Sequence, residues 1–290
     1  MLHRLLPLLC LAVTAASSQV RDCPAAQPEP TIPAPIRLIT FSNAALLPQE
    51  KQQEIAEIYR HRHVNPGSVE RDMDSFAEEL AERVRAEYQN TGYFKAEVDS
   101  RTLKTADEHV YDLEVQVRSV GPQYRLGDIR FLRATVFPAA QLRDLFRIQR
   151  GEVFSRVKVA AGLEQLRQLY GSAGYINYRP VPATQFDDQT DVVNLTIESD
   201  EGKQFRVGEI EVSGVDDLTK ARVLSELGMK VGDVYSSEAW RKLRSEFPAL
   251  VETHAPVTAD ERGDDAAGVV DVVLALQKAA GCPGTLIRLQ

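Results

Sequence analysis

His61 and His63 lie two apart in the run Arg60-His61-Arg62-His63, and a pair of imidazoles is the first place to look for a metal ion. The arginines beside them bring positive charge that repels a cation. No carboxylate or thiol stands at a usual ligand spacing, so no metal is expected there. His109 and His254 fall in predicted strand or turn segments without partners and read as surface residues. A Gly-x-Ser-x-Gly elbow, a phosphate-binding loop and a His-Glu-x-x-His pattern are all missing from the sequence. Asn194-Leu195-Thr196 fits the acceptor pattern for glycosylation, but it sits inside a predicted strand. The sequence therefore predicts no enzyme activity and no cofactor. What remains is the chemistry of thiols and of the main chain.

The thiols depend on the compartment. Residues 1–18 join a short start carrying Arg4 to an apolar run from Leu5 to Ala16, with small residues at Ala16 and Ser18. A run of about a dozen residues is too short to span ~30 Å of hydrocarbon as a helix, and it reads as an export signal cut after Ser18. Leu8 and Leu9 occupy the positions before Cys10 where a lipoprotein signal wants small residues, so no lipid anchor is expected at Cys10. Removing the signal leaves Cys23 and Cys282, one near each end, in a compartment that permits a bridge. An intramolecular closure, a disulfide-linked dimer and two idle thiols all stay open.

The whole composition sets wider bounds. The chain has 290 residues, 43% hydrophobic, 26% charged and 7% aromatic. Wholesale disorder, a collagen-like repeat and a disulfide-rich miniprotein are excluded. Forty-two acidic residues against 34 basic ones give a net charge of −8. That argues against nucleic acid as a partner, since phosphates are neutralised by clustered Lys and Arg. It argues less strongly against an anionic membrane surface.

The body repeats itself. Gly121 to Phe131, GPQYRLGDIRF, corresponds to Gly202 to Val212, GKQFRVGEIEV, 81 positions later. The same offset carries Gly151-Glu152-Val153-Phe154-Ser155 onto Gly232-Asp233-Val234-Tyr235-Ser236. Tyr88 to Phe94, YQNTGYF, corresponds to Tyr170 to Ile176, YGSAGYI, at an offset of 82. Three units follow, at 36–122, 123–203 and 204–279, between a Pro/Ala-rich linker at 19–35 and a tail at 280–290.

Each unit has one grammar. It opens with an alternating strand (Ile36 to Phe41, Tyr124 to Leu132, Phe205 to Ser213) and continues into a short helix. A Gly-containing turn then delivers Ser68, Ser155 or Ser236 to a second helix, whose unpaired N–H groups a serine oxygen can accept. Met73, Phe76, Leu80, Val84 and Tyr88 share one face of that helix in the first unit, and Val159, Leu163, Leu166 and Tyr170 do so in the second. Gly92 and Gly174 stand where a helix end wants a left-handed residue, and the aromatic after each is expected to start a strand. Two strands close each unit, the last alternating as Val110 to Val117 and Val192 to Ile197, so that one sheet face is covered. In the third unit Pro248 is expected to stop the second helix, and Asp260 to Asp265 reads as an acidic flexible loop.

The β-α-α-β-β order, the aromatic-Arg-aliphatic-Gly-acid-Ile opening and the Tyr-x3-Gly-Tyr junction resemble POTRA, or polypeptide-transport-associated, modules. The resemblance is to the periplasmic arm of BamA- and TamA-like outer-membrane proteins, and it covers 36–279. It implies an α+β fold: a tandem array of three POTRA modules, each a three-stranded mixed sheet with two helices on one face. In that family the last strand is central and the second strand is a free edge. A membrane β-barrel usually follows, and the ten residues after Ala280 cannot supply it. A free-standing protein and a missing barrel are both open.

An edge strand can pair with an extended peptide whatever its sequence. The second unit's edge carries Pro180 and Pro182, which remove donors. The first unit's edge, Phe94 to Leu103, has no proline. Phe94, Ala96 and Val98, with Leu80 and Val84 of the facing helix, are therefore the candidate peptide-binding residues. The resemblance implies a periplasmic protein, peripheral to the outer membrane at most, in outer-membrane protein assembly or secretion. Its partners would be unfolded outer-membrane polypeptides, a separate barrel protein or assembly lipoproteins. A structural spacer or adaptor, and a detached arm of a two-partner secretion transporter, are the alternatives.

Overall fold

The computed structural model describes residues 30–107, 109–251 and 257–276. The predicted export signal, Cys23, His254, Cys282 and the C-terminal tail lie outside the described residues. The first third contains β1 (Ile32–Pro33), β2 (Ile36–Ser42), α1 (Gln49–Arg60), β3 (His63–Val64), α2 (Val69–Asn90), β4 (Glu97–Lys104) and β5 (Tyr111–Ser119). The middle contains β6 (Arg125–Leu132), α3 (Ala139–Asp144), α4 (Arg156–Ser172), β7 (Arg179–Asp187) and β8 (Val192–Asp200). The last third contains β9 (Arg206–Ser213), α5 (Asp217–Leu227), α6 (Ser237–Leu250), β10 (Val257–Asp264) and β11 (Val269–Leu276).

Three three-stranded sheets share one topology, with orders β2-β5-β4, β6-β8-β7 and β9-β11-β10. In each the closing strand is central, parallel to the first strand and antiparallel to the second. A mixed sheet of this kind needs a long crossover between its parallel strands, and the two helices supply it. Alternation fixes the faces: Tyr111, Leu113, Val115 and Val117 of β5 are buried while the residues between them are not. Three separate cores result, one per sheet, each holding the apolar face of its helices. The fold is α+β, a tandem of like modules.

A bulge recurs at one place in each parallel pair, between Ile36 and Leu38, Leu126 and Ile129, and Val270 and Val272. In the second and third modules it is built around a glycine. A Cβ on Gly127 or Gly208 would collide with Asn194 Oδ1 or Asp271 Oδ1. Those side chains accept the bulge N–H groups of Asp128 at 2.8 Å and Glu209 at 2.7 Å. Asn194 is thus a structural acceptor. The first module places Arg37 at this position, and its Nε donates to Asp112 Oδ1 at 2.9 Å. Beside that guanidinium the Asp112 carboxyl is held below its usual value.

Several expectations need correction. The aromatic after Gly92 or Gly174 does not start a strand: residues 93–96 form a turn, with Ala96 N–H donating to Tyr93 O, and β4 begins at Glu97. Ser155 and Ser236 cap their helices by accepting from Lys158 N–H and Ala239 N–H. Ser68 instead donates to Asp72 Oδ2 and makes no side-chain cap. Pro248 does not stop α6, which runs to Leu250, because a proline in the last turn removes one bond and leaves the apolar face of Trp240, Leu243 and Phe247 buried. Asp260 to Asp264 is strand, not loop: β10 pairs along its length with β11, and Glu261 accepts the hydroxyl of Tyr235.

Candidate functional site

β4 lies at the edge of its sheet, its other side unpaired by any strand among the described residues. Of the candidate residues, Leu80 and Val84 are fully buried, Val98 is 2% exposed and Ala96 4%. They are core side chains that clamp α2 to the sheet, and what they contribute to an edge is its position. Phe94 is not on β4 at all. It reaches out of the first module and packs against the core of the second.

The accessible surface lies beside β4. An open groove of about 580 Å³ runs between Glu78, Ala81, Glu82 and Arg85 of α2 and Asp99, Ser100 and Arg101 of β4. Its walls are charged and internally paired: Arg101 with Glu114, Arg118 with Asp99, and Arg85 with Glu82. Three contacts tie helix to edge, one of them the ion pair of Lys104 Nζ with Glu70 Oε1 at 2.9 Å. Arg85 Nη2 donates to Val98 O at 2.8 Å, and Ser100 Oγ donates to Ala77 O at 2.5 Å. A strand arriving on this side meets the main chain of β4 flanked by charged side chains that are already paired with one another.

The equivalent edge in the second module is β7. At the offset of 82, Val98 corresponds to Pro180 and Ser100 to Pro182. The ladders agree, since Val98 pairs with Val117 and Pro180 with Ser199, while Ser100 pairs with Val115 and Pro182 with Ile197. Both prolines lack an N–H at these positions.

Phe94 organises the joint between the first two modules. Its ring meets Tyr124, Phe154 and Phe186 edge-on, at centroid distances of 6.1, 4.8 and 5.2 Å, a geometry favoured by the ring quadrupoles. Next to it Lys95 Nζ pairs with Asp188 Oδ2 at 2.8 Å, and the Tyr124 hydroxyl donates to Asp188 Oδ1 at 2.5 Å. Lys95 and then Tyr124 hold the Asp188 carboxyl below its usual value. The main chain locks the same place: Gly92 has φ of +86°, and its carbonyl accepts Tyr124 N–H at 2.9 Å. The second joint repeats the lock, with Gly174 at φ +88° accepting Phe205 N–H at 2.8 Å. There Gln204 Nε2 donates to Ala173 O as Gln123 Nε2 does to Thr91 O. The Tyr-x3-Gly-Tyr pattern is therefore a joint as well as a helix end.

Sequence reasoning missed Arg85, Asp188 and Phe186, and it missed Glu201. That carboxylate lies just after β8 and accepts the N–H groups of Thr135 and Val136 and the hydroxyls of Thr135 and Tyr170. Burial pushes its pKa up, but these hydrogen bonds outweigh burial and hold it below the usual value. The offset of 82, carried past Tyr93 into the next strand, was the signal that would have aligned Val98 with Pro180.

His61 does meet a carboxylate, Glu57 at 3.3 Å one turn back, but among the described residues no three His, Cys, Asp or Glu side chains converge to hold an ion. Nor is any helix among them long and apolar enough to cross a membrane.

Comparison with known proteins matches the second module to a family model. Residues 124–202 match the model described as POTRA, surface antigen variable number repeat. Over 181 residues the chain is 28% identical to outer membrane protein assembly factor BamA of Neisseria meningitidis, covering 60% of this chain and 22% of that protein. Over 200 residues it is 23% identical to a putative outer membrane protein assembly factor of Treponema pallidum, covering 67% of this chain and 24% of that one. The chain thus spans under a quarter of the length of these relatives. Its fold superimposes on the crystal structure of Haemophilus influenzae BamA POTRA3-5 with a TM-score of 0.63 at 18% identity, over 88% of this chain and 100% of that one.

Proposed function

Starting from a tandem array of three POTRA modules, we propose that the chain is a non-catalytic periplasmic arm serving outer-membrane protein assembly or secretion. In this reading it captures extended polypeptide on β4. The observation that carries the reading is the difference between equivalent edges, since β4 keeps at Val98 and Ser100 the N–H groups that Pro180 and Pro182 remove from β7. Strand addition draws its affinity from such groups and its tolerance of sequence from their uniformity. The relatives' names, outer membrane protein assembly factors, point to unfolded outer-membrane polypeptides as the clients. A barrel protein or assembly lipoprotein would dock elsewhere on the folded surface.

The test is an amide-resolved NMR titration of the full chain with a peptide copied from an outer-membrane barrel strand. Saturable shifts along Glu97–Lys104, lost in Ser100→Pro, are the expected outcome. Shifts scattered over all three modules, or none on β4, would reject the site. The adaptor reading is favoured by one observation, that Arg85 already occupies Val98 O. It predicts a silent β4 and a folded partner recovered by crosslinking.

A further inference from the structure

An unpaired edge invites unwanted pairing, so proteins guard it. The two edges compared above are guarded at the same register position by different chemistry. In β7 the guard is covalent, because Pro180 and Pro182 have no N–H to offer. In β4 the guard is a side chain, because Val98 O is taken by Arg85 Nη2 at 2.8 Å. Val98 stands at the register position of Pro180, which a sheet tolerates where the N–H points off the ladder, and a residue's N–H and C=O point to one side in an antiparallel pair, so this carbonyl faces any strand that would add to the sheet. Arg85 is itself oriented by Glu82, three residues back on the helix, through its other terminal nitrogen. The same Glu-x-x-Arg pair stands on α4 as Glu164 and Arg167, where Arg167 Nη1 meets Glu164 at 3.5 Å.

A proline cannot be lifted from an edge, whereas a guanidinium can. Its side chain is 29% exposed at the rim of the groove and needs only rotamer changes to leave. Resting on the reading of β4 as a strand-capturing edge, we propose that Arg85 is a reversible latch on it. The latch covers Val98 O in the empty protein and yields that acceptor to a main-chain N–H of an incoming extended polypeptide. Glu82 keeps the displaced guanidinium within reach, so the edge closes again when the polypeptide leaves. A bare β4 would instead pair with the β4 of another copy.

Arg85→Gln and the double variant Arg85→Gln/Ser100→Pro test this in the full chain, with circular dichroism to confirm folding. One probe is a synthetic ten-residue peptide alternating Val and Thr, read by fluorescence anisotropy. The other is self-association, read by sedimentation velocity. A competing charge-assisted bond worth about 1.4 kcal/mol corresponds to about a tenfold change in affinity. The latch predicts that Arg85→Gln binds the peptide about tenfold tighter than the unaltered chain, and that the double variant loses the gain. Equal binding by Arg85→Gln and the unaltered chain would overturn the latch and leave strand capture standing. Dimers of Arg85→Gln that the double variant abolishes, without peptide binding, would support the latch as a guard against self-pairing and reject client capture. Monomers throughout and no peptide binding would overturn both.

Discussion

Glu201 is the residue whose neighbourhood makes the sharpest prediction about stability. Its four hydrogen-bond donors come from the loop after β6 and from α4, so the carboxylate holds together three segments of the second module. A carboxyl held below its ordinary value of 4.5 stabilises the fold in full above that pH, and the contribution is lost as pH falls through the folded value. Glu201→Gln should therefore cost about 1–3 kcal/mol at neutral pH. The gap between the two proteins should narrow below about pH 4.5 in thermal melts taken across pH. A gap that stayed constant down to pH 3 would mean the network adds nothing specific. None of this was legible in the sequence, because Thr135, Tyr170 and Glu201 are far apart along it and carry no spacing. Tyr170 was readable only as a helix-face residue.

At the scale of elements, the sequence carried the strands and helices well and their exceptions poorly. Period-two alternation in Tyr111 to Val117 and the apolar face of α2 are local patterns, and both formed as read. The acidic run Asp260 to Asp264 looked like a loop because its charges alternate with nothing apolar on the outer face. Pairing with β11 decides otherwise, and that contact is not local. Pro248 misled for a related reason, since tertiary burial of Phe247 outweighs one lost helix bond. The recurrent bulge gives the test at this scale. Gly127→Ala would drive a Cβ into Asn194 Oδ1 and to 2.7 Å from Val192 Cγ1. It should cost about 1–3 kcal/mol, as overpacking does, read by urea unfolding. Cutting the side chain back in Gly127→Ala/Asn194→Ala should recover part of that loss, and failure to do so would place the strain elsewhere.

At the scale of the molecule, the two joints matter most. The sequence showed the repeated Tyr-x3-Gly-Tyr and led to a local reading of it. A helix end and a module joint use the same glycine, and only the fold reveals that Gly92 O and Gly174 O each receive an N–H from the next module. The joints differ in what surrounds the lock: the first has a ring cluster around Phe94 and the Lys95–Asp188 ion pair, the second has Ile176 against the third core and Asn177 Nδ2 donating to Asp265 Oδ1 at 2.9 Å. Phe94→Ala should therefore loosen the first joint and leave the second intact. Small-angle scattering should then show a broader distribution of sizes, and unfolding should separate into an added transition for the first module. The stability loss should be about 3 kcal/mol, the low end of the range for removing a buried aromatic ring, because Phe94 is half-buried. An unchanged scattering profile would mean that the main-chain lock at Gly92 suffices alone. A fixed joint also sets the direction in which β4 faces, which ties the shape of the arm to its proposed work.

The most direct measurement compares β4 with β7 in one experiment. Leu103 on β4 and Gln185 on β7 occupy equivalent positions at the offset of 82, and both are exposed. A photo-crosslinking side chain at each, in the full chain mixed with unfolded outer-membrane polypeptide, reports which edge is used. Adducts from position 103 and not from 185 are the predicted result. Adducts from 185 alone, or equal yields from both, would contradict the claim that the missing N–H groups of Pro180 and Pro182 decide where polypeptide is captured.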